Sequence, residues 1–196
     1  MRPLKLWIFL FAGFFVCGLS VALMVRSNLG LGPWDAFHQG IARKTGLSIG
    51  TVQILVGVVV MLLWIPLKQK PGFGTVLNAL TIGFMTDFCL RLIPYGHDLP
   101  TRWGMLLAGV LLMGVSTALY LPTRLGAGPR DGLMVGVAKE LKLSIRLARG
   151  SIELLVLALG WYLGGTIGLG TVVYAFGIGP VVHWMLDVEK KLGLVG

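Results

Sequence analysis

The chain has 196 residues, of which 56% are hydrophobic and only 13% are charged, and its mean hydropathy is +0.85. A soluble domain carries about twice that charged fraction, so the composition excludes an ordinary soluble domain and indicates that lipid is the solvent. The net charge of +9 comes from basic residues that lie between the apolar runs, where such residues set the orientation of membrane spans. Because the chain has no basic face with interleaved aromatic residues, we do not predict nucleic-acid binding.

Six apolar runs are predicted to be membrane helices. They cover residues 6–25, 50–67, 75–93, 103–121, 150–165 and 170–186. The first four have the length of about 20 residues that a span needs. The fifth is interrupted by Gly160 and Gly164, and the sixth contains Gly177 and Pro180. Such weak spans are tolerated where neighbouring protein covers the backbone.

The first apolar run is too long for a typical signal peptide and has no clear cleavage site, so we interpret it as the first membrane helix. The two cysteines, Cys17 and Cys89, both lie inside apolar runs. We therefore expect them to be small core residues and not a disulfide or a metal site.

Two shorter helices are predicted in the long connections, over residues 33–45 and 129–142. Pro33 suits the first helical position, where its missing N–H costs nothing. Asp35 follows in the first turn, where a negative charge favours the helix dipole, and Gly46 ends the helix. About 13 residues cannot cross a hydrocarbon layer roughly 30 Å thick, so each is expected to be a surface or re-entrant helix.

The chain is a duplicated unit. The run LGLGPWDA at 29–36 returns as LGAGPRDG at 125–132, and residues 7–90 match 103–186 at 29 of 84 positions without a gap. We divide the chain into repeat 1 (1–96) and repeat 2 (97–196), which form one membrane domain. Each repeat has three spans, and because three is odd the second copy must cross the membrane in the opposite sense. The predicted fold is an all-α membrane protein with six transmembrane helices in an inverted 3+3 repeat.

The basic residues predict the orientation of these spans. With the N-terminus inside, twelve Lys and Arg residues lie in inside segments and five in outside segments. The excess favours a multi-pass protein of the plasma membrane with both termini in the cytoplasm. The first Gly-x-Gly-Pro-x-Asp loop would then face out and the second would face in.

The two Gly-x-Gly-Pro-x-Asp loops are the first candidate site. Their glycines let the backbone approach a ligand closely, and each following helix start offers free N–H groups to an anionic group. The alternative is a tight turn with a capped helix that only fixes the fold, and the aspartates would oppose an anion. The candidate substrate-binding residues here are Gly30, Gly32, Asp35, Gly126, Gly128 and Asp131.

Ionisable residues inside the spans are the second candidates, because charges in lipid are costly and commonly functional. Asp87, Glu153 and His183 belong to this group. Asp87 can instead pair with Arg91 four residues later, and Glu153 can pair with Arg149. His183 occupies the position equivalent to Asp87, and the two need not touch.

Glycines also recur in the third and sixth spans, where small residues allow close helix packing. We expect these two spans to meet across the pseudo-two-fold axis. The sequence contains no Gly-x-Ser-x-Gly elbow, His-Glu-x-x-His, Cys-x-x-Cys or phosphate loop. We therefore expect no enzyme activity, no cofactor and no metal.

The run SNLGLGPWD at 27–35 resembles the signature of small bacterial integral membrane proteins of the YczE type, within the broader YitT/YczE grouping. The resemblance covers nearly the whole chain, since the second motif at 126–131 fits as well. It implies a membrane location and a similar architecture. It implies no substrate, reaction or cofactor.

Two functions remain open from the sequence. The first is a small-solute transporter or permease whose site lies between the two motif loops and the third and sixth spans, with an anionic or zwitterionic solute preferred. The second is a non-transporting binding or assembly subunit that works with a partner protein. In either case the lipid bilayer is a partner, and a homodimer is expected because six short spans enclose little volume.

Overall fold

The computed structural model describes residues 3–123 and 128–192, whose regular elements are all helices connected by turns and loops, with no strand. Their long helices coincide with the six apolar runs, and their two short helices coincide with the predicted ones. The helices are α1 (Pro3–Ser27), α2 (Pro33–Thr45), α3 (Ile49–Leu63), α4 (Phe73–Leu92), α5 (Leu99–Tyr120), α6 (Pro129–Glu140), α7 (Ile145–Tyr162) and α8 (Leu169–Leu192), with one 3-10 turn, Leu121–Thr123.

Four of these helices, α1, α4, α5 and α8, are long and apolar enough to cross a membrane alone. A fifth span is formed if α2 and α3, which meet at a bend of 113°, are counted as one broken span. The fifth predicted span, α7, falls short because Arg146, Arg149 and Glu153 lie in its first half. The described chain is therefore an all-helical membrane protein with four or five candidate spans.

The helix ends follow the local signals in the sequence. Helix α2 begins at Pro33 and ends at Thr45, where it is capped by Gly46. The φ of Gly46, 75°, is readily adopted by glycine, and its N–H bonds to Ala42 O at 2.9 Å. Helices α3 and α7 have the same cap in both repeats, since the hydroxyls of Ser48 and Ser144 each accept from a backbone N–H three residues on. Helix α6 ends two residues earlier than predicted.

Helices α1 and α5 form the centre of the fold and make its most extensive packing. Ser20 Oγ donates to Gly109 O at 2.7 Å, and Ser116 Oγ donates to Gly13 O at 2.8 Å. The two hydrogen bonds are equivalent when the repeats are exchanged, because Ser20 and Ser116 are 96 residues apart, as are Gly13 and Gly109. Since the higher number on α1 pairs with the lower number on α5, the two helices are antiparallel.

The other helices pack in matching pairs around this centre. Helix α1 packs on α4 as α5 packs on α8, and α2 packs on α7 as α3 packs on α6. Gly40 of α2 and Gly136 of α6 illustrate the match, because a Cβ there would lie 2.8 and 2.9 Å from the Cβ atoms of Leu163 and Leu67, respectively. Close packing of this kind requires small residues.

The expectation that the third and sixth spans meet through their glycines was wrong. Helices α4 and α8 do not pack along each other. In α4, a Cβ at Gly83 would lie 2.5 Å from the carbonyl oxygen of Gly50 in α3, and in α8 one at Gly170 would lie 2.7 Å from Gly30 O. The glycines are used instead for contacts with α3 and with the first motif loop.

Cys17 and Cys89 are buried and unpaired, which confirms their interpretation as small core residues. The main apolar cluster joins α1 to α5 and the first motif loop. A second apolar cluster joins α2, α3, α6 and α7. The fold therefore anchors both short helices between longer ones.

Candidate functional site

The starts of the two short helices come together near the centre of the protein. Arg130 Nη2 lies 3.5 Å from Asp35 Oδ1, and the Arg130 guanidinium lies 5.3 Å from the centre of the Trp34 ring. Asp35 belongs to the first Gly-x-Gly-Pro-x-Asp motif and Arg130 to the second. The two copies of the motif thus contact each other directly.

The carboxylate of Asp35 is buried within this contact. Its side chain is only 2% exposed, and His38 Nδ1 lies 3.8 Å from the same Oδ1 that faces Arg130. A buried carboxylate is tolerated only where a partner compensates it. Asp35 therefore holds Arg130 and the second motif in place.

A cavity of ≈ 450 Å³ adjoins this contact and is lined by residues of all eight helices. That volume is within the range of about 300–1,000 Å³ typical of sites for small molecules. The polar and aromatic residues lining it are Trp34, His38, Gln53, Asn78, Thr117, Tyr120, Arg130, Asp131, Arg149, Glu153, Tyr174 and His183.

Four of the residues predicted from the sequence line this cavity: Gly128, Asp131, Glu153 and His183. Glu153 pairs with Arg149, Oε1 to Nε at 2.9 Å, as its spacing indicated. His183 Nε2 lies 3.7 Å from Asp187 Oδ2 and is 83% exposed.

Asp131 differs from its counterpart Asp35. It has no Lys, Arg or His nitrogen within 4.0 Å among the residues that the structure describes. Burial raises the pKa of the Asp131 carboxyl above its ordinary value, because a charge is costly away from water. The aspartates of the two motifs thus have different surroundings.

The glycines of the first motif, Gly30 and Gly32, pack against residues of α8 and do not line the cavity. A Cβ at Gly30 would lie 2.6 Å from Thr171 N, and one at Gly32 would lie 2.7 Å from the Tyr174 ring. Gly30 also has a φ of 130°, a conformation that other residues rarely adopt. Gly126 lies outside the described residues.

Asp87 lies away from the cavity, at the contact between α3 and α4. It accepts hydrogen bonds from the hydroxyl of Ser48 and, at 2.8 Å, from the N–H of Gly50. The alternative pairing with Arg91 is not formed, and the carboxylate bonds instead to the start of α3. Asp87 therefore joins two helices.

Trp34, Gln53 and Arg130 are cavity residues that the sequence analysis did not single out. Trp34 and Gln53 are each 7% exposed, yet Trp34 Nε1 and both amide atoms of Gln53 have no hydrogen-bond partner. Gln53 is a lone amide within the second apolar run, which is a signal that could have identified it. Trp34 and Arg130 occupy the same position in the two copies of the motif, and this position is not identical between the copies. A search for identical residues therefore does not select either of them.

Comparisons with known proteins identify the family of the chain. A model of a family of unknown function, DUF6198, matches residues 4–187. The chain belongs to this family. An uncharacterized protein of Haemophilus influenzae is 44% identical over 177 residues, covering 90% of this chain and 81% of that protein.

Two Bacillus subtilis proteins are also similar. The uncharacterized membrane protein YczE is 32% identical over 191 residues, covering 95% of this chain and 87% of YczE. The uncharacterized protein YyaS is 26% identical over 183 residues, covering 91% of each chain. The resemblance to YczE-type membrane proteins is thereby confirmed, and no solved structure matches the chain.

Proposed function

We propose that this protein is a transporter of small polar solutes built as an inverted 3+3 repeat. The observation that carries the proposal is an asymmetry between equivalent helix pairs beside the cavity. Helices α3 and α4 are in tight contact at Gly50 and Gly83, whereas Gly179, the equivalent of Gly83, has no heavy atom within 4 Å of where its Cβ would be. A cavity closed on one side and open on the equivalent side is what alternating access requires.

The antiparallel pairing of α1 and α5 supports the inversion. These helices are equivalent in the two repeats, and their reciprocal serine bonds follow a two-fold relation. If α1 spans the bilayer, an antiparallel α5 of similar length spans it in the opposite direction. With both termini in the cytoplasm of the plasma membrane, the open pair α7 and α8 faces the cytoplasm.

In this mechanism the α3–α4 pair opens when the α7–α8 pair closes. Closure of α7 on α8 would seal the cavity on the cytoplasmic side, and separation of α3 from α4 would open it on the outside. The contact among Ser48, Gly50 and Asp87 would break in that step. Because its hydrogen bonds join only a few groups, exchange between the states is accessible at modest cost.

Transport by the isolated protein is the decisive test. Purified protein is reconstituted into liposomes that contain a defined mixture of amino acids, amines, carboxylates and sugars, and the retained contents are measured by mass spectrometry. We expect selective loss of one chemical class relative to protein-free liposomes. Retention of every solute, with the protein folded and correctly inserted, would favour the alternative function, a binding or assembly subunit that needs a partner.

A further inference from the structure

We propose that the cavity binds a solute carrying a protonated amine, with its ammonium group between Asp131 and Asn78. A hydrogen-bond acceptor elsewhere on the same solute takes the free donors of Trp34 and Gln53. The inference rests on the proposed function only in treating the cavity as the substrate site. Binding is measured separately from transport, so the two can fail independently.

Among the described residues, the charges around the cavity leave one carboxylate without a cationic group within 4.0 Å. The two guanidinium groups are already paired, Arg130 with Asp35 at 3.5 Å and Arg149 with Glu153 at 2.9 Å. Asp131 is the third carboxylate, and it has no such partner among the described residues. A cationic group on the ligand would supply the missing charge.

Asp131 and Asn78 bring two acceptor oxygens near each other at the cavity wall. A Cβ at Gly128 would lie 3.1 Å from Asp131 Oδ2 and 3.7 Å from Asn78 Oδ1, so the two oxygens are at most about 7 Å apart. An ammonium group has three N–H donors and no acceptor. Its donors match these two oxygens, whereas an anion would be repelled by the carboxylate.

The polar atoms without partners provide independent support. Trp34 Nε1 is a buried donor, and Gln53 offers a buried donor and a buried acceptor, none of which has a hydrogen-bond partner. Leaving such groups unsatisfied costs about 1–3 kcal/mol each. Both side chains line the cavity, so a polar ligand there would satisfy them.

The two helix starts, from which an anionic or zwitterionic solute was predicted, do not by themselves favour a purely anionic ligand. Asp35 and Asp131 occupy the first turns of α2 and α6. Each carboxylate already complements the positive end of its helix dipole. The helix starts therefore do not need a negative group from the ligand, although a carboxylate on a zwitterion could still reach Arg130.

Binding is tested with three compounds of matched length: n-butylamine, 4-aminobutyrate and butyrate. We expect n-butylamine and 4-aminobutyrate, but not butyrate, to bind the purified full-length protein in isothermal titration. 4-Aminobutyrate should bind more tightly than n-butylamine, because only its carboxylate can accept from Trp34 and Gln53. The reverse order would refute the role of these two side chains. Binding of butyrate alone, or of none of the three at millimolar concentration, overturns the proposal.

A second measurement does not depend on the solute. Val182→Cys in a Cys17→Ala/Cys89→Ala background is labelled with methanethiosulfonates carrying a trimethylammonium or a sulfonate group. We expect the labelling rate with the cationic reagent, divided by the rate with the anionic reagent, to be at least tenfold higher for this cysteine than for a free thiol in solution. Asp131→Asn should abolish this difference. The matched control, Glu140→Gln, removes the exposed carboxylate that lies 4.0 Å from Lys68 and should leave the ratio unchanged.

The variants also separate a binding role from a structural one. Asp131→Asn should weaken n-butylamine binding at least tenfold without lowering the melting temperature. Gln53→Leu should weaken 4-aminobutyrate more than n-butylamine, because only the former has a second polar group. An unchanged labelling ratio and unchanged amine binding in Asp131→Asn would refute the proposal, whatever the liposome experiment gives.

Discussion

The helix pairs α3–α4 and α7–α8 hold equivalent positions in the two repeats but differ in packing. The first pair is closed at Gly50 and Gly83 and joined by the bonds of Asp87 to Ser48 and Gly50. In the second pair Gly179 meets nothing within 4 Å. The neighbouring contacts, α1 with α4 and α5 with α8, are alike in both repeats. Among the described residues, the extensive contact of α3 with α4 has no counterpart between α7 and α8.

The residues at the two contacts explain part of this difference. Gly83 and Gly179 are identical, but Gly50 is replaced by Arg146 and Asp87 by His183 in the second repeat. An arginine cannot make the backbone approach that Gly50 makes, and a histidine provides one acceptor at most where Asp87 uses two oxygens. Closure of the second pair must therefore use other contacts than closure of the first.

The largest effect is expected from locking the closed pair. In a Cys17→Ala/Cys89→Ala background, Ser48→Cys with Asp87→Cys should form a disulfide readily, because the two native side chains are hydrogen-bonded. Oxidation should abolish transport and reduction should restore it. The equivalent pair, Ser144→Cys with His183→Cys, is the control and should crosslink far less. Equal crosslinking yields in the two pairs would remove the asymmetry from which the function is inferred.

The next largest effect concerns the two equivalent glycines. Gly83→Val should destabilise the protein, since a Cβ there would lie 2.5 Å from Gly50 O and 2.7 Å from Ile54 Cγ1. Overpacking of this kind costs about 1–3 kcal/mol, which corresponds to a fall of roughly 2–4 °C in melting temperature per kcal/mol. Gly179→Val, which enters open space, should change the melting temperature little. A similar fall in both variants would contradict the described packing.

The helices were largely predictable from the sequence, and their arrangement was not. Runs of apolar residues, the prolines at 33 and 129 and the serine caps act within a few residues, so the pattern reveals them. The role of Asp87 depended on α3, which is distant in sequence, and helical spacing alone favoured Arg91 instead. Which pair is closed depends on contacts between helices that are distant in the sequence, so the local patterns did not reveal it.

The candidate cavity was predicted only in outline. Asp131 was selected from the second motif and Glu153 as an ionisable group inside a span, and both line it. Arg130 and Trp34 were missed because they replace each other between the repeats, and a comparison of copies emphasises what is identical. The residues that differ between the copies are the ones that give each face of the cavity its own chemistry.

A third, smaller effect tests the hydrogen bonds that join the closed pair. Asp87→Asn keeps an oxygen for the N–H of Gly50 but removes the charge that strengthens both bonds. Hydrogen bonds to charged groups contribute about 1.5–3 kcal/mol, against about 1 for neutral ones. We expect faster labelling of a cysteine placed at Gln53 from the outer side. His183→Asn is the control, and an identical rate in both variants would assign the closure to packing alone.

The smallest effect is expected from giving the second pair the residues of the first. Arg146→Gly together with His183→Asp would place a small residue and a carboxylate opposite Ser144, as in the closed pair. If this favours closure by about 1.4 kcal/mol, labelling of Val182→Cys should slow about tenfold. Each substitution alone should slow the labelling much less, because closure needs both the close backbone approach and the hydrogen-bond acceptor. The effects of the two substitutions on the labelling rate should therefore be non-additive. Additive effects, or faster labelling, would mean that the pairs close by unrelated contacts and that the symmetry between them does not extend to their motion.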